Sequence, residues 1–314
     1  MTDADDELTY ADAGVDIEES EAATAALVGA LSDIGSEDGY AGLVDIGDRY
    51  LGLTTDGVGT KLLVAEGVEQ YDTVGIDCIA MNVNDLVAAG VTPIAFVDYL
   101  AVDEPDDAVA AAIGEGLAEG ATLAGVHLVG GETAVMPEVV TGFDLAGTAA
   151  GLATEEQVFP GTAEAGDVLV GFPSSGIHSN GLTLARQAIQ REYDYSDPYP
   201  PDTERSIGEA LLEPTRIYTY LLDALHEYAV HAAAHVTGGG FTNLKRMGTF
   251  TYRVDDPFEP QPIFEFVREL GGVSDAEMYR TFNMGTGFVA AVAPEDADGL
   301  LEETDGRTIG RVEA

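Results

Sequence analysis

The sequence predicts an α+β protein built from two mixed α/β halves. Strand-like and helix-like segments alternate from residue 49 onwards. A Pro-Gly break, VFPGTAEAGD at 158–167, interrupts them in mid-chain, and DVLVGFPSSG then opens a fresh strand, loop and helix. No short-period repeat links the two sides. The expected boundary separates residues 1–164 from 165–314. With 314 residues, 46% of them hydrophobic, the chain can fill a sizeable core in each half.

Residues 1 to about 40 are acidic and Ala-rich, with a short helix expected over 21–31 and arm or loop elsewhere. RYLGLTT (49–55) is strand-like and runs into a small Gly turn. The apolar spacing of 73–89 is helical, with Gly90 as its stop. Pro93 fits only a strand start or an edge, because it cannot donate to a sheet ladder; the β-rich run 94–102 follows. Pro105 is expected at the first position of an Ala-rich helix over 106–123 that stops at Gly125. A short strand at 126–129 leads into GGETA, and another covers 143–152. The second half is expected to carry helices near 180–191, 211–227 and 295–303, and strands near 249–254 and 286–293.

The net charge is −44, from 57 acidic residues against 13 basic ones. High hydrophobicity alongside that charge argues for an acidic folded surface rather than a disordered tail. Such a surface repels phosphate backbones and anionic headgroups, so nucleic acid and membrane are not expected partners. The near absence of lysine points to a salt-rich cytosol, where ionic strength screens self-repulsion. Cys78 is alone, which excludes an intramolecular disulfide framework and a thiolate metal cluster; a buried packing role is expected. The start, MTDADDELTY, has no charged and apolar leader pattern, and no run reaches the roughly 18 apolar residues of a membrane span. The expected location is the cytoplasm.

Four Gly-rich segments sit where strands give way to loops or helices: TTDGVGTK (54–61), LVGGETA (128–134), SSGIHSNG (174–181) and HVTGGGF (235–241). Glycine lets backbone N–H groups approach an anion, and a helix start adds a favourable dipole, so such junctions suit phosphate. The first is not a P-loop, since the G-x-x-x-x-G-K-[ST] spacing is absent. Its Lys61 is one of two lysines in the chain and is a candidate point charge for a nucleotide phosphate. Asp56, Asp77, Asn84 and Asp85 come from neighbouring elements, with Asp77 and Asn84 on one helix face at about 100° per residue. Hard oxygen ligands at this density suit Mg²⁺ carried by nucleotide phosphates. Glu132 in GGET is another candidate acid, with capping by Thr133 as the plainer alternative. His178 and His235, each beside a Gly-rich turn, are open between substrate contact, proton transfer and a structural role. No Ser-His-Asp order or nucleophile elbow is present, so hydrolase chemistry is not indicated.

Together these segments resemble the phosphoribosylformylglycinamidine cyclo-ligase family, the aminoimidazole ribonucleotide synthetases of purine biosynthesis. The matching blocks are TYADAGVDI (9–17), TDGVGTKL (55–62), GIDCIAMNVNDLVAAG (75–90), LVGGETAVMP (128–137), DLAGTAAG (144–151), PSSGIHSNG (173–181), LLEPTRIY (211–218), HVTGGGF (235–241) and MYRTFNMGTG (278–287), in collinear order. The resemblance implies ATP- and Mg²⁺-dependent closure of formylglycinamidine ribonucleotide to 5-aminoimidazole ribonucleotide, with ADP and phosphate released. It implies a homodimer whose first domains form a β-barrel with nucleotide sites beside it. Carried over by motif, Asp56, Asp77, Asp85 and Glu132 would hold metal; Gly57, Gly59, Thr60, Asn84, Gly130, Gly131 and Thr133 the nucleotide. Asp56, Lys61, His178 and His235 would serve the chemistry, and Ser175, Ser179, Asn180, Thr237, Gly238, Gly239, Arg280 and Asn283 the ribonucleotide. The chain departs from the family in LSDIGSEDGYAGL (31–43), where a basic Gly-rich region is usual, and in FNMG where FNCG is usual. Related ATP-binding families fit less well: selenophosphate synthetase needs a reactive Cys before Cys78, and thiamine-monophosphate kinase leaves MYRTFN and SSGIHSNG together unexplained.

Overall fold

The computed structural model describes residues 8–14, 22, 26 and 39–314. The helix expected over 21–31 lies outside them except for Ala22 and Ala26, both helical.

The first half is an open five-stranded sheet. Its strands are β1 (Gly42–Asp45), β2 (Tyr50–Gly57), β3 (Thr92–Val102), β4 (His127–Val135) and β5 (Phe143–Ala153), ordered β1-β2-β5-β3-β4. All neighbours are antiparallel except β3 and β4, which are joined by a helical crossover. Pro93 falls where β3 pairs only with β5, two residues before its ladder with β4 begins at Ala95, so the missing N–H breaks no bond on that side. Helices α1 (Leu62–Val68), α2 (Val74–Ala88) and α3 (Asp107–Ala124) complete this half. α2 packs on β2 and β5 with one face and α3 with another, and also touches the second half. Its sequence, VGIDCIAMNVNDLVA, is therefore buried at every position but Asp85. Cys78 is among its fully buried residues, as a packing role requires.

Among the described residues, no helix lies on the opposite face of this sheet. Leu53, Val97 and Tyr99 are 41%, 38% and 43% exposed there. The barrel expected from the resemblance is not closed within one chain: β1 and β4 remain as edges.

The second half holds β6 (Val168–Pro173), β9 (Val230–His235), β10 (Thr251–Val254), β11 (Thr286–Val292) and β12 (Arg307–Glu313), ordered β10-β12-β6-β11-β9 and antiparallel throughout. A short hairpin, β7 (Pro198–Tyr199) and β8 (Asp202–Ser206), stands apart. Both faces of the main sheet are covered. One packs Phe172 and Phe288 against Tyr218, Leu221 and Leu225; the other packs Leu169, Val289 and Ile309 against Leu244 and Met247. Central β11 reads TGFVAAV without alternation because it is buried at every position. Helices here are α4 (Leu182–Ile189), α5 (Ile207–Leu211), α6 (Leu222–Glu227), α7 (Pro262–Gly271), α8 (Asp275–Thr281) and α9 (Ala297–Glu303), with a 3₁₀ turn at Gly240–Met247.

Some expectations need correction. Pro105 precedes the cap of α3 instead of opening the helix, because Asp106 accepts from the amides of Ala108 and Val109. The helix expected near 211–227 is broken: α5 ends at Leu211, Pro214 interrupts an extended link, and α6 starts at Leu222. GGETA is not a loop after a short strand; it continues β4, where pairing with β3 overrides the two glycines. β12 and α8 lacked a decisive period in sequence.

Candidate nucleotide and substrate site

Three of the four Gly-rich segments converge at the junction of the halves. β2 delivers Asp56 and then turns into the 3₁₀ segment Gly59–Lys61. Thr60 Oγ1 lies 3.0 Å from Thr183 Oγ1 at the start of α4. Asn180 Nδ2 lies 3.7 Å from Met81 Sδ on α2. A Cβ on Gly238 would stand 3.1 Å from Asn180 Oδ1, so the glycine lets the HVTGGGF backbone approach the SSGIHSNG loop. Asp56, Gly59, Thr60, Asn180 and Gly238 are thus brought together beside α2, with Thr237 and Gly239 next to them in the chain. Thr237 N donates to Asn243 Oδ1 at 2.8 Å, which fixes this last turn.

The electrostatics centre on Asp56. Its carboxylate is solvent-reachable, but the protein surrounding it and the negative charge of Asp85 hold its pKa above the ordinary carboxylate value. The Gly57 amide, His235 and Arg246 act the other way. Asp56 Oδ1 accepts from Gly57 N at 2.7 Å. Asp85 Oδ1 pairs with His235 Nδ1 at 2.9 Å, across the junction. His235 Nε2 lies 3.4 Å from Asn84 Nδ2, an amide donor. Nε2 is therefore the acceptor, and Nδ1 carries the proton given to Asp85. Arg246 stacks 4.9 Å over the Tyr40 ring, and the Tyr40 hydroxyl donates to the His235 carbonyl at 3.4 Å.

Other expected residues lie behind this surface. Lys61 and Asp77 are fully buried and paired, with Nζ 2.9 Å from Oδ1 and 2.8 Å from Oδ2. Lys61 also donates to the Glu213 carbonyl at 2.7 Å, and Asp77 accepts from Thr215 N and Oγ1 at 2.8 and 2.6 Å. Burial pulls the Lys61 ammonium below its usual pKa while Asp77 opposes that pull. Asn84 donates to the Arg216 carbonyl at 2.8 Å and accepts from Tyr218 N at 2.9 Å. Asp77 and Asn84 do share a helix face, and that face holds the 213–218 link. Ser179 Oγ joins the same network, 3.2 Å from Thr215 Oγ1, and Ser175 Oγ donates to the Pro214 carbonyl.

His178 sits at φ +66° with Nε2 accepting from Ser175 N at 3.1 Å and from Arg216 N at 3.4 Å. Burial drives its pKa well down, and Nδ1 has no protein partner among the described residues. Asn283 is spent on Ser174, Gly176, Ile177 and Gly285. Arg280 lines a separate cavity with Phe241 and Tyr279. Gly130, Gly131, Glu132 and Thr133 lie on edge strand β4, which β5 and β3 separate from β2. Register places Asp56, Gly147, Asp98 and Gly131 in one row, hence on one face, and Glu132 on the other.

Family models for the AIR synthase related proteins match residues 38–153 with the N-terminal domain and 164–314 with the C-terminal domain. The chain belongs to the AIR synthase related family. Among its relatives, the phosphoribosylformylglycinamidine cyclo-ligase of Methanosarcina mazei is 49% identical over 97% of this chain and 95% of its own length. That of Thermococcus kodakarensis is 48% identical over 94% and 91%. Among solved structures, AaThiL complexed with AMPPCP and TMP matches with TM-score 0.71 at 16% identity, over 95% of this chain and 93% of that one, which shows the fold shared with this family.

Of the acids expected to hold metal, Asp56 and Asp85 are the two at this junction that could meet a phosphate-borne Mg²⁺. No group of three or more His, Cys, Asp or Glu side chains forms a metal cage among the described residues. One or two carboxylates with phosphate oxygens completing the shell is a normal Mg²⁺ arrangement. Asp77 does not fit, being spent on Lys61 and Thr215; Glu132 does not reach from its strand and face. Arg246, Tyr40 and Asp98 are additions that sequence reasoning missed. Arg246 had one signal, a basic pair after HVTGGGF in a chain nearly without lysine; Asp98 is revealed only by strand register.

Proposed function

We propose that this chain catalyses the ATP-dependent closure of formylglycinamidine ribonucleotide to 5-aminoimidazole ribonucleotide, releasing ADP and phosphate, in de novo purine biosynthesis. The observation that carries the reading is the convergence of TTDGVGTK, SSGIHSNG and HVTGGGF on Asp56 and Asp85, in a family whose near-full-length relatives bear the cyclo-ligase name. MgATP supplies the phosphoryl group that makes the formyl amide oxygen a leaving group. Asp56 and Asp85 hold the metal. His235 fixes the Asp85 carboxylate through Nδ1–H, and Asn84 fixes the His235 tautomer. The Gly59 amide and the Thr60 hydroxyl meet the phosphates in this reading. Asn180, Thr237, Gly238 and Gly239 orient the ribonucleotide so that ring closure becomes intramolecular, where effective molarity is high. Lys61, Asp77, His178, Ser175, Ser179 and Asn283 position these loops from behind.

The working unit in this reading is a cytoplasmic homodimer in a salt-rich cell. A second copy covers the bare face of the first sheet and brings GGET of its own β4 towards the cleft. Residues 1–164 bind nucleotide and dimerise, and 165–314 complete the substrate cleft. The test is turnover of purified protein in high KCl with formylglycinamidine ribonucleotide, ATP and Mg²⁺. Both ADP and aminoimidazole product are expected; the absence of both would reject the assignment.

A further inference from the structure

A cavity of about 680 Å³ opens between the 3₁₀ turn Gly240–Met247, α8 and edge strand β10. It shares no lining residue with the Asp56 cluster. Its walls include Phe241, Phe250, Tyr252 and Tyr279, with the Phe241 and Tyr279 rings 5.6 Å apart and tilted by 56°. Lys245 and Arg280 stand at the lining, both exposed. The volume is that of a small-molecule site, and aromatic walls with a few polar groups are its usual composition.

Charge also bears on what the cavity could take. The chain carries 57 acidic residues against 13 basic ones, and two of those thirteen stand at the lining. Four nearby acids have partners elsewhere. Asp275 holds Arg268 at 2.7 Å, Asp255 holds Arg253 at 2.7 Å, and Asp256 lies 3.6 Å from Arg307. Glu277 accepts from Tyr10 N at 3.0 Å. Lys245 and Arg280 have no carboxylate partner among the described residues. The chain has one other lysine, Lys61, and that one is buried in an ion pair. The cavity therefore presents two cations without carboxylate partners beside flat aromatic surface. A phosphate meets the cations through charge-assisted hydrogen bonds, and a planar ring meets the aromatic wall by stacking.

We propose that this cavity is a second ligand site, for a mononucleotide-sized molecule. Lys245 and Arg280 hold its phosphate, and its ring lies against Phe241 and Tyr279. The site is independent of the cleft that carries the proposed turnover, so the two readings fail separately.

The test is calorimetric titration of the full chain with AMP after the cleft has been saturated with AMPPCP, Mg²⁺ and formylglycinamidine ribonucleotide. One further AMP per chain is expected to bind. Lys245→Glu should weaken that binding about tenfold or more, the scale of a lost charge-assisted contact, while AMPPCP affinity stays unchanged. Tyr279→Leu should weaken AMP but not inorganic phosphate. No AMP binding with AMPPCP present, AMP affinity in Lys245→Glu within twofold of wild type, or phosphate binding as tightly as AMP would each overturn the proposal.

Discussion

Asp56 carries opposed demands. It must stay ionised to meet a cation, yet packing and Asp85 raise its pKa. A carboxyl whose folded pKa lies above its unfolded value favours folding in acid, and loses that contribution as pH rises through the folded value. At neutral pH the ionised form is therefore a cost that Asn does not bear, while Asn keeps an acceptor for the Gly57 amide. Asp56→Asn should fold with a melting temperature at or above wild type at pH 7, with that advantage fading in acid. Its turnover should fall by about a hundredfold or more, the scale seen when a group meeting developing charge is lost. Melting curves at two pH values and steady-state ADP release check both halves; near-normal turnover would remove Asp56 from the site. Asp56 was readable in sequence because it precedes a Gly turn. Asp98 was not, because alternation along β3 gives its face only once register with β5 is known.

At the scale of elements, α2 and the 213–218 link form a polar clasp. The helical period placed Asp77 and Asn84 on one face, and the structure agrees. What that face meets is set by chain that lies more than a hundred residues away: Thr215 on Asp77, Arg216 and Tyr218 on Asn84. Lys61, conspicuous in sequence by rarity, belongs to this clasp. Removing one partner of a buried ion pair strands the other charge, at about 3–5 kcal/mol. Lys61→Met should lower the unfolding free energy by that order in urea titrations. Lys61→Met with Asp77→Asn should recover more than half, since Asn still accepts from Thr215 without leaving a charge. A single variant as stable as wild type would contradict the clasp. The break of the expected 211–227 helix has the same origin: the link must run extended to present its backbone to α2.

Across the whole molecule, the uncovered sheet face and the net charge each make a prediction. Leu53, Val97 and Tyr99 put apolar surface on a side that no element among the described residues covers. Val97→Glu, at the centre of that face, should convert a dimer into a monomer by light scattering, with unchanged circular dichroism and lost turnover. A variant that stays dimeric would exclude this face as the interface. For the charge, screening shortens from about 10 Å at 0.1 M salt to about 3 Å at 1 M, so repulsion among the surface acids weakens. The melting temperature should rise in molar KCl; equal stability in both would contradict adaptation to salt.

The chain's sequence by itself determined the α+β class, most strands and helix stops, and the Gly-rich junctions. These depend on local periods, on Pro and Gly backbone limits and on residue chemistry, all of which act over a few residues. Tertiary structure decided which junctions meet. It gathered TTDGVGTK, SSGIHSNG and HVTGGGF at one place, drew GGETA into edge strand β4, and turned Lys61, Asp77 and Asn84 inward. Those outcomes depend on strand order and on pairings between distant residues, where burial must be matched by partners that no local pattern names.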